Sequence, residues 1–232
     1  MSIYEARPGL LPGTTLWRVT AEEHDGDLFR VVPDAVMDIV CFEGGLLFAG
    51  PDTTASLVPS SPGAVTWGLR FDPGVAHALL GVPVEELTNQ RIELHELARL
   101  DEATLDTAWQ DPAAALEQAA VELWKRASPD AAALDLARSL DQAAQAGLSV
   151  RAIADLHGLS ERTLRRVSGR VFGYGPKTLA AIHRFQRALR YARAGSAPGE
   201  VSALARYADQ SHLARETKRL AGTTFSALTA NH

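Results

Sequence analysis

A single cysteine, Cys41, is all the chain has, which excludes an internal disulfide and any cysteine-rich zinc site. Long apolar runs are missing as well, none approaching the roughly 18 residues that a membrane span needs. The opening MSIYEARPG lacks the charged-then-apolar pattern of a signal peptide, so a cytoplasmic protein with no membrane partner is expected. The histidines are scattered: His24, His77 and His95 form no His-x-His pair of the kind a barrel metal site uses. Neither a Gly-x-Ser-x-Gly element nor a phosphate-binding loop occurs. Cys41 stands between Val40 and Phe42 and reads as a small core residue rather than a reactive thiol. No catalytic residue, metal or cofactor is therefore expected, and the chain does not read as an enzyme.

What is present is ordinary in amount and uneven in placement. The 232 residues, 46% hydrophobic and 22% charged, suit two modest globular domains. The net charge of −5 conceals a division. Residues 1–131 carry 8 Lys and Arg against 21 Asp and Glu, whereas residues 132–232 carry 15 against 7. An acidic front and a basic back point to partners of different character, with the back half suited to a polyanion.

The front half, residues 1–131, reads as short strands followed by helices. AVMDIVCFEGGLLFAG holds two apolar runs about Gly44-Gly45, a hairpin signature. In AVTWGLRF the residues Val65, Trp67, Leu69 and Phe71 share one face, with Thr66 and Arg70 on the other. Pro12-Gly13, Pro33-Asp34, Pro51-Asp52 and Pro62-Gly63 mark turns, so a small sheet or barrel is expected. Helices are predicted over Val75–Leu80, Val84–Leu87 and Pro112–Arg126. The last is amphipathic through Leu116, Ala120, Leu123 and Trp124. Trp17, Trp67 and Arg70 are weak candidates to line a small-molecule effector site. Homodimerisation, through this domain or through Pro112–Arg126, is the other role considered.

After Ser128-Pro129-Asp130, a linker signal, residues 132–232 read as all helix. Ser149 and Ser160 are placed to cap helices over Val150–His157 and Glu161–Phe172. Pro176 and Gly195 bracket a long helix of about 19 residues, near 28 Å at 1.5 Å per residue. Helices about Glu200–Arg206 and Gln210–Ala221 follow, with a short one from Phe225.

A weak internal repeat runs through this half. Leu164 to Gly173 aligns with Leu213 to Gly222, matching Leu, Arg, a hydroxyl residue, Arg, a branched apolar residue and Gly. Upstream, Ile153, Ala154 and Leu156 align with Val201, Ser202 and Leu204 if the second turn has one extra residue. Each unit is a short helix, a tight turn and a longer basic helix, the plan of a helix-turn-helix. Leu164, Val167 and Val171 share an inward face, opposite Arg162, Arg165, Arg166 and Gly169. In the second unit Leu213 and Leu220 face inward, with Ser211, His212, Arg215 and Arg219 outward. Outward arginines can fork onto guanine or onto phosphates.

GLSERTLRRVSGRVFGYGPKTLAAIHRFQRAL and YADQSHLARETKRLAGTTFSAL resemble the two halves of the DNA-binding domain of the AraC/XylS family of transcription regulators. The resemblance covers roughly Ser149 to Leu228, about a third of the chain. It implies two helix-turn-helix units, joined by the helix Pro176–Ala194, reading successive major grooves. It implies recognition residues at Arg162, Thr163, Arg165 and Arg166, then at Gln210, Ser211, His212 and Arg215. The front half, with PDAVMDIV, FAGP and GLRFDPG, looks like the sensory domain of some members.

This chain also departs from the family pattern. Ser168 and Thr217 stand where an aromatic is usual, which predicts thinner packing. Arg206 stands at a turn position where glycine is usual, at about 1–2 kcal/mol if that backbone is left-handed. Phe225 replaces a common proline. The fold expected is α+β, and the function expected is sequence-specific binding of double-stranded DNA in transcription control. Two further readings are carried: a protein-interaction regulator with a decayed helix-turn-helix, and a small-ligand-binding protein.

Overall fold

The computed structural model describes residues 3–21, 28–59 and 61–230; His24 lies outside them. The fold is α+β, with eight strands among the described residues of the front half and helices throughout the back. Strands β1 (Ile3–Pro8), β2 (Thr14–Thr20), β4 (Met37–Phe42), β5 (Gly45–Ala49), β7 (Val65–Phe71) and β8 (Arg91–Glu93) make a six-stranded sheet in the order β1-β2-β7-β4-β5-β8. Strands β3 (Leu28–Val31) and β6 (Ser56–Pro59) pair as a separate ribbon.

Register decides which face is core. Leu16 lies opposite Leu69, Ile39 opposite both Leu69 and Phe48, and Met37 opposite Phe71. All of these are at most 3% exposed, so one face of the pleat is apolar and closed. Helices α1 (Val75–Leu80), α2 (Leu94–Leu97), α3 (Glu102–Gln110) and α4 (Pro112–Ala127) complete the domain. Leu116, Ala119, Ala120 and Leu123 of α4 are buried in that same core. The apolar face of α4 thus packs into the core of the front half. Cys41 is buried in this core, its thiol donating to the Ala108 carbonyl, and burial pushes its pKa up.

The remaining helices are α5 (Ala131–Gln145), α6 (Val150–Leu156), α7 (Glu161–Phe172), α8 (Pro176–Arg193), α9 (Pro198–Leu204), α10 (Gln210–Ala221) and α11 (Phe225–Thr229). Helix α8, 18 residues, spans about 27 Å. Ile182, Phe185 and Leu189 join it to the core of the first unit, and Ala188 to the small core of the second. A buried His183–Asp141 contact of 2.7 Å ties α8 to α5.

The two halves are packed together. Val32 and Ala35 of the front half lie against the core of the back half, and the Gln186 amide donates to the Pro33 carbonyl at 2.6 Å. No described helix is long and apolar enough to cross a membrane. Among the described residues no group of three His, Cys, Asp or Glu side chains is placed to hold a metal ion.

Candidate nucleic-acid interface

The repeat seen in the sequence is present in the backbone. In the first unit the Gly158 N–H donates to Asp155 and the Leu159 N–H to Ala154; in the second, Arg206 donates to Ala203 and Tyr207 to Ser202. Gly158 and Arg206 both have φ of 63°. The two turns are therefore the same turn, and the arginine holds a left-handed conformation that glycine adopts freely. The extra residue comes next. Ser160 caps α7 two positions after Gly158, whereas Asp209 caps α10 three positions after Arg206.

Both caps are built alike. Ser160 Oγ accepts the Thr163 N–H at 3.0 Å, and Asp209 Oδ1 accepts the His212 N–H at 2.6 Å. Both long helices have 12 residues and close on a left-handed glycine, Gly173 or Gly222. Start and stop signals thus set two helices of equal length at equivalent places in the repeat.

On α7, Arg162, Arg165 and Arg166 are exposed, while Thr163 is half-buried with its hydroxyl 2.9 Å from that of Ser160. Arg165 pairs with Glu161 at 2.8 Å, an exposed i,i+4 pair that contributes well under about 1 kcal/mol and can be exchanged for a phosphate. On α10, Gln210, Ser211 and Arg215 are exposed and His212 is half-buried. Arg170, exposed one turn beyond Arg166, extends the basic strip; its spacing was sufficient to find it.

The small residues on the inner faces are hydrogen-bonded. Ser168, 1% exposed, donates to the Tyr174 carbonyl at 2.7 Å, and Thr217, fully buried, donates to the Leu213 carbonyl at 2.8 Å. Neither hydroxyl is left orphaned, which removes the larger cost of a polar core residue. Tyr174 does bury its own phenol without a partner among the described residues, and burial raises that pKa well beyond the ordinary range.

Gly169 is a correction. Helical spacing places it outward with the arginines, but it is buried, and a Cβ there would sit 2.3 Å from the Glu85 carboxylate. The 3-10 turn Val84–Leu87 of the front domain covers this end of α7. Periodicity within one helix carries no trace of a partner 84 residues away.

The three front-domain candidates are divided between the two sheet faces, although Trp17 and Trp67 both line one hollow with Arg7 and Arg18. Trp17 lies opposite Gly68 and Arg70 opposite Asp38, on the sheet face away from the core, whereas Trp67 lies opposite Arg18 on the other face. The Trp17 indole donates to Asp38 at 2.8 Å and rests on Gly68, where a Cβ would meet its ring at 2.2 Å. Arg70 is paired with Asp38 at 3.3 Å and Asp34 at 3.2 Å. Burial pushes the Asp34 carboxyl up to about 7 against the opposing pull of Arg70. Trp67 lies under Arg18, whose guanidinium carbon is 5.8 Å from the ring centre.

Comparison with known proteins agrees with the back half. Residues 153–231 match the family model of a helix-turn-helix domain, and residues 14–93 match that of a domain of unknown function, DUF6597. No curated protein sequence matches the chain. Among solved structures, ToxT from Vibrio cholerae O395 is similar at TM-score 0.49 and 8% identity, over 94% of this chain and 96% of that one. Unsaturated fatty acid bound wild-type ToxT from Vibrio cholerae strain SCE256 is similar at TM-score 0.48 and 10% identity, over 96% of each chain. Those likenesses are too distant to carry a function across. The chain carries an AraC-type helix-turn-helix domain of DNA-binding transcription regulators, joined to an N-terminal domain of the DUF6597 family.

Proposed function

We propose that the protein is a sequence-specific double-stranded DNA-binding transcription regulator whose two helix-turn-helix units read adjacent half-sites from one chain. The observation that carries this is the repeated unit itself: two capped helices of 12 residues with exposed basic and polar residues at their N-terminal ends. Recognition helices contact base edges with those ends. The residues assigned to the DNA interface, on base edges or on the phosphates beside them, are Arg162, Thr163, Arg165 and Arg166 in the first unit, and Gln210, Ser211, His212 and Arg215 in the second. Selection from genomic fragments followed by footprinting tests it, with protection over about two helical turns as the expected result.

The front domain is proposed as the regulatory part, because it holds the opposite ends of the same two helices. The Thr88 hydroxyl donates to the Gly173 carbonyl at 2.8 Å at the end of α7. The Ala55 N–H donates to Leu220 at 2.7 Å, and Arg30 to Ala221 at 2.8 Å, at the end of α10. These contacts satisfy carbonyls that a helix C-terminus leaves free, and the Arg30 cation suits the negative end of the dipole. An apolar hollow of about 150 Å³ also lies where Gly74, which precedes α1, and His77 and Ala78 of α1 meet Leu134 and Ala137 of α5 and Val167 and Val171 of α7. A small effector bound at this junction would touch the first recognition helix directly. A metabolite screen by thermal shift tests effector binding, since a ligand of the folded state raises its melting temperature.

A further inference from the structure

Glu216 is an unexpected residue in a DNA-facing helix. It lies in the middle of α10 with 9% of its side chain exposed. The first unit has Val167 at the equivalent place. Arg184 of α8 grips the carboxylate with two nitrogens, Nη2 at 2.6 Å and Nε at 3.2 Å. The Tyr207 phenol donates to the same carboxylate at 2.8 Å, and the Arg184 guanidinium lies 4.8 Å from the Tyr207 ring centre. A buried carboxylate is tolerated when forked onto arginine and further hydrogen-bonded in this way. Burial pushes the Tyr207 phenol up, as does its bond to Glu216. Burial opposes the Arg184 charge, but Glu216 more than restores it. The phenol therefore stays a donor, and the guanidinium keeps its charge, at neutral pH.

The network reaches the reading face. His212 packs edge-on against the Tyr207 ring at 5.1 Å between centres and 83° between planes. Its Nε2 stands 3.9 Å from Glu216. Two neighbours thus fix where the imidazole sits, one turn from the N-terminus of α10.

We infer that Glu216 is a positioning residue for base reading: with Arg184 and Tyr207 it seats α10 on α8 and orients His212 toward the half-site of the second unit. This rests on the DNA-reading proposal above. The test uses the full chain, the site selected by the wild-type protein, and single-base variants of each half-site. Glu216→Gln keeps the shape and withdraws the charge. It should lower discrimination at bases of the second half-site roughly tenfold, the scale of one good side-chain–base contact, and leave the first half-site unchanged. His212→Ala should produce the same loss, and the double variant no more than either alone, because the two residues act as one unit. Unchanged discrimination, or an equal loss at both half-sites, overturns the inference. Should Glu216→Gln fail to fold, Tyr207→Phe removes a single hydrogen bond and is judged by the same outcomes. A wild-type protein that selects no site at all overturns the DNA-reading proposal itself, and is told apart by that.

Discussion

Single side chains set the first set of expectations. Arg166 is exposed and forms no ion pair among the described residues, whereas Arg165 is engaged by Glu161. Arg166→Ala should therefore cost about 1–3 kcal/mol of affinity and relax preference at one base, if the residue forks onto guanine. Arg215→Ala should cost less and act evenly across sequences, as a phosphate contact does. Affinity for the selected site and its single-base variants separates these outcomes, and a larger loss of discrimination at Arg215 reverses the ranking. Asp34 supplies a pH test. Its carboxyl rises from the ordinary 3.8 to about 7, so the folded state holds the proton more tightly than the unfolded chain. The stability this contributes is present below about pH 4 and is lost as pH rises through about 7. With 40% of its side chain exposed, water screens the effect, so the direction is the expectation. Melting curves of the wild type and of Asp34→Asn should diverge over that window, the wild type losing ground as pH rises; parallel curves contradict it. The outward arginines were legible from helical spacing alone. Glu216 and Gly169 were not, because what buries them is Arg184 on another helix and Glu85 in another domain.

At the scale of elements, both recognition helices run between the residues that their caps and glycines indicate, Glu161–Phe172 and Gln210–Ala221. Local chemistry decides those ends, so sequence shows them. Strands β2 and β8 were less visible, since each is held by pairing with a distant strand, β7 and β5, rather than by its own alternation, and β1 joins the sheet through its hairpin with β2. The Val84–Leu87 segment is helical as the sequence suggested, but as a single 3-10 turn. Arg206 offers the clearest test at this scale. Its left-handed backbone, φ 63°, favours glycine, while its side chain donates to the Ala146 carbonyl from an exposed position at 3.2 Å. Arg206→Gly should stabilise the protein by about 0.5–1 kcal/mol, the relief of strain less the added chain entropy. Urea denaturation reads this directly. A loss of stability would show that the Ala146 contact outweighs the strain.

Across the whole molecule, the distribution of charge and of contacts tells one story. The acidic front half and basic back half are not independent bodies, because Arg30, Ala55 and Thr88 close the C-terminal ends of both recognition helices. That coupling could not be read from the sequence, which shows two compositions but not their docking. Arg30→Ala should remove one cation and one hydrogen bond from the end of α10, at about 0.3–1 kcal/mol. Faster hydrogen exchange in the last turn of α10, with little change in α7, is the expected signature; equal change in both would mean that the contact is not local. Whether one chain reads DNA with two units is measured most directly by selection from genomic fragments followed by footprinting. The expected result is enrichment of one sequence class, protection of two successive major grooves on one face over about two helical turns, and binding that weakens steeply with salt as phosphates regain their counterions. A folded protein that enriches no sequence at about 50 mM salt, where phosphate contacts are strongest, would contradict it.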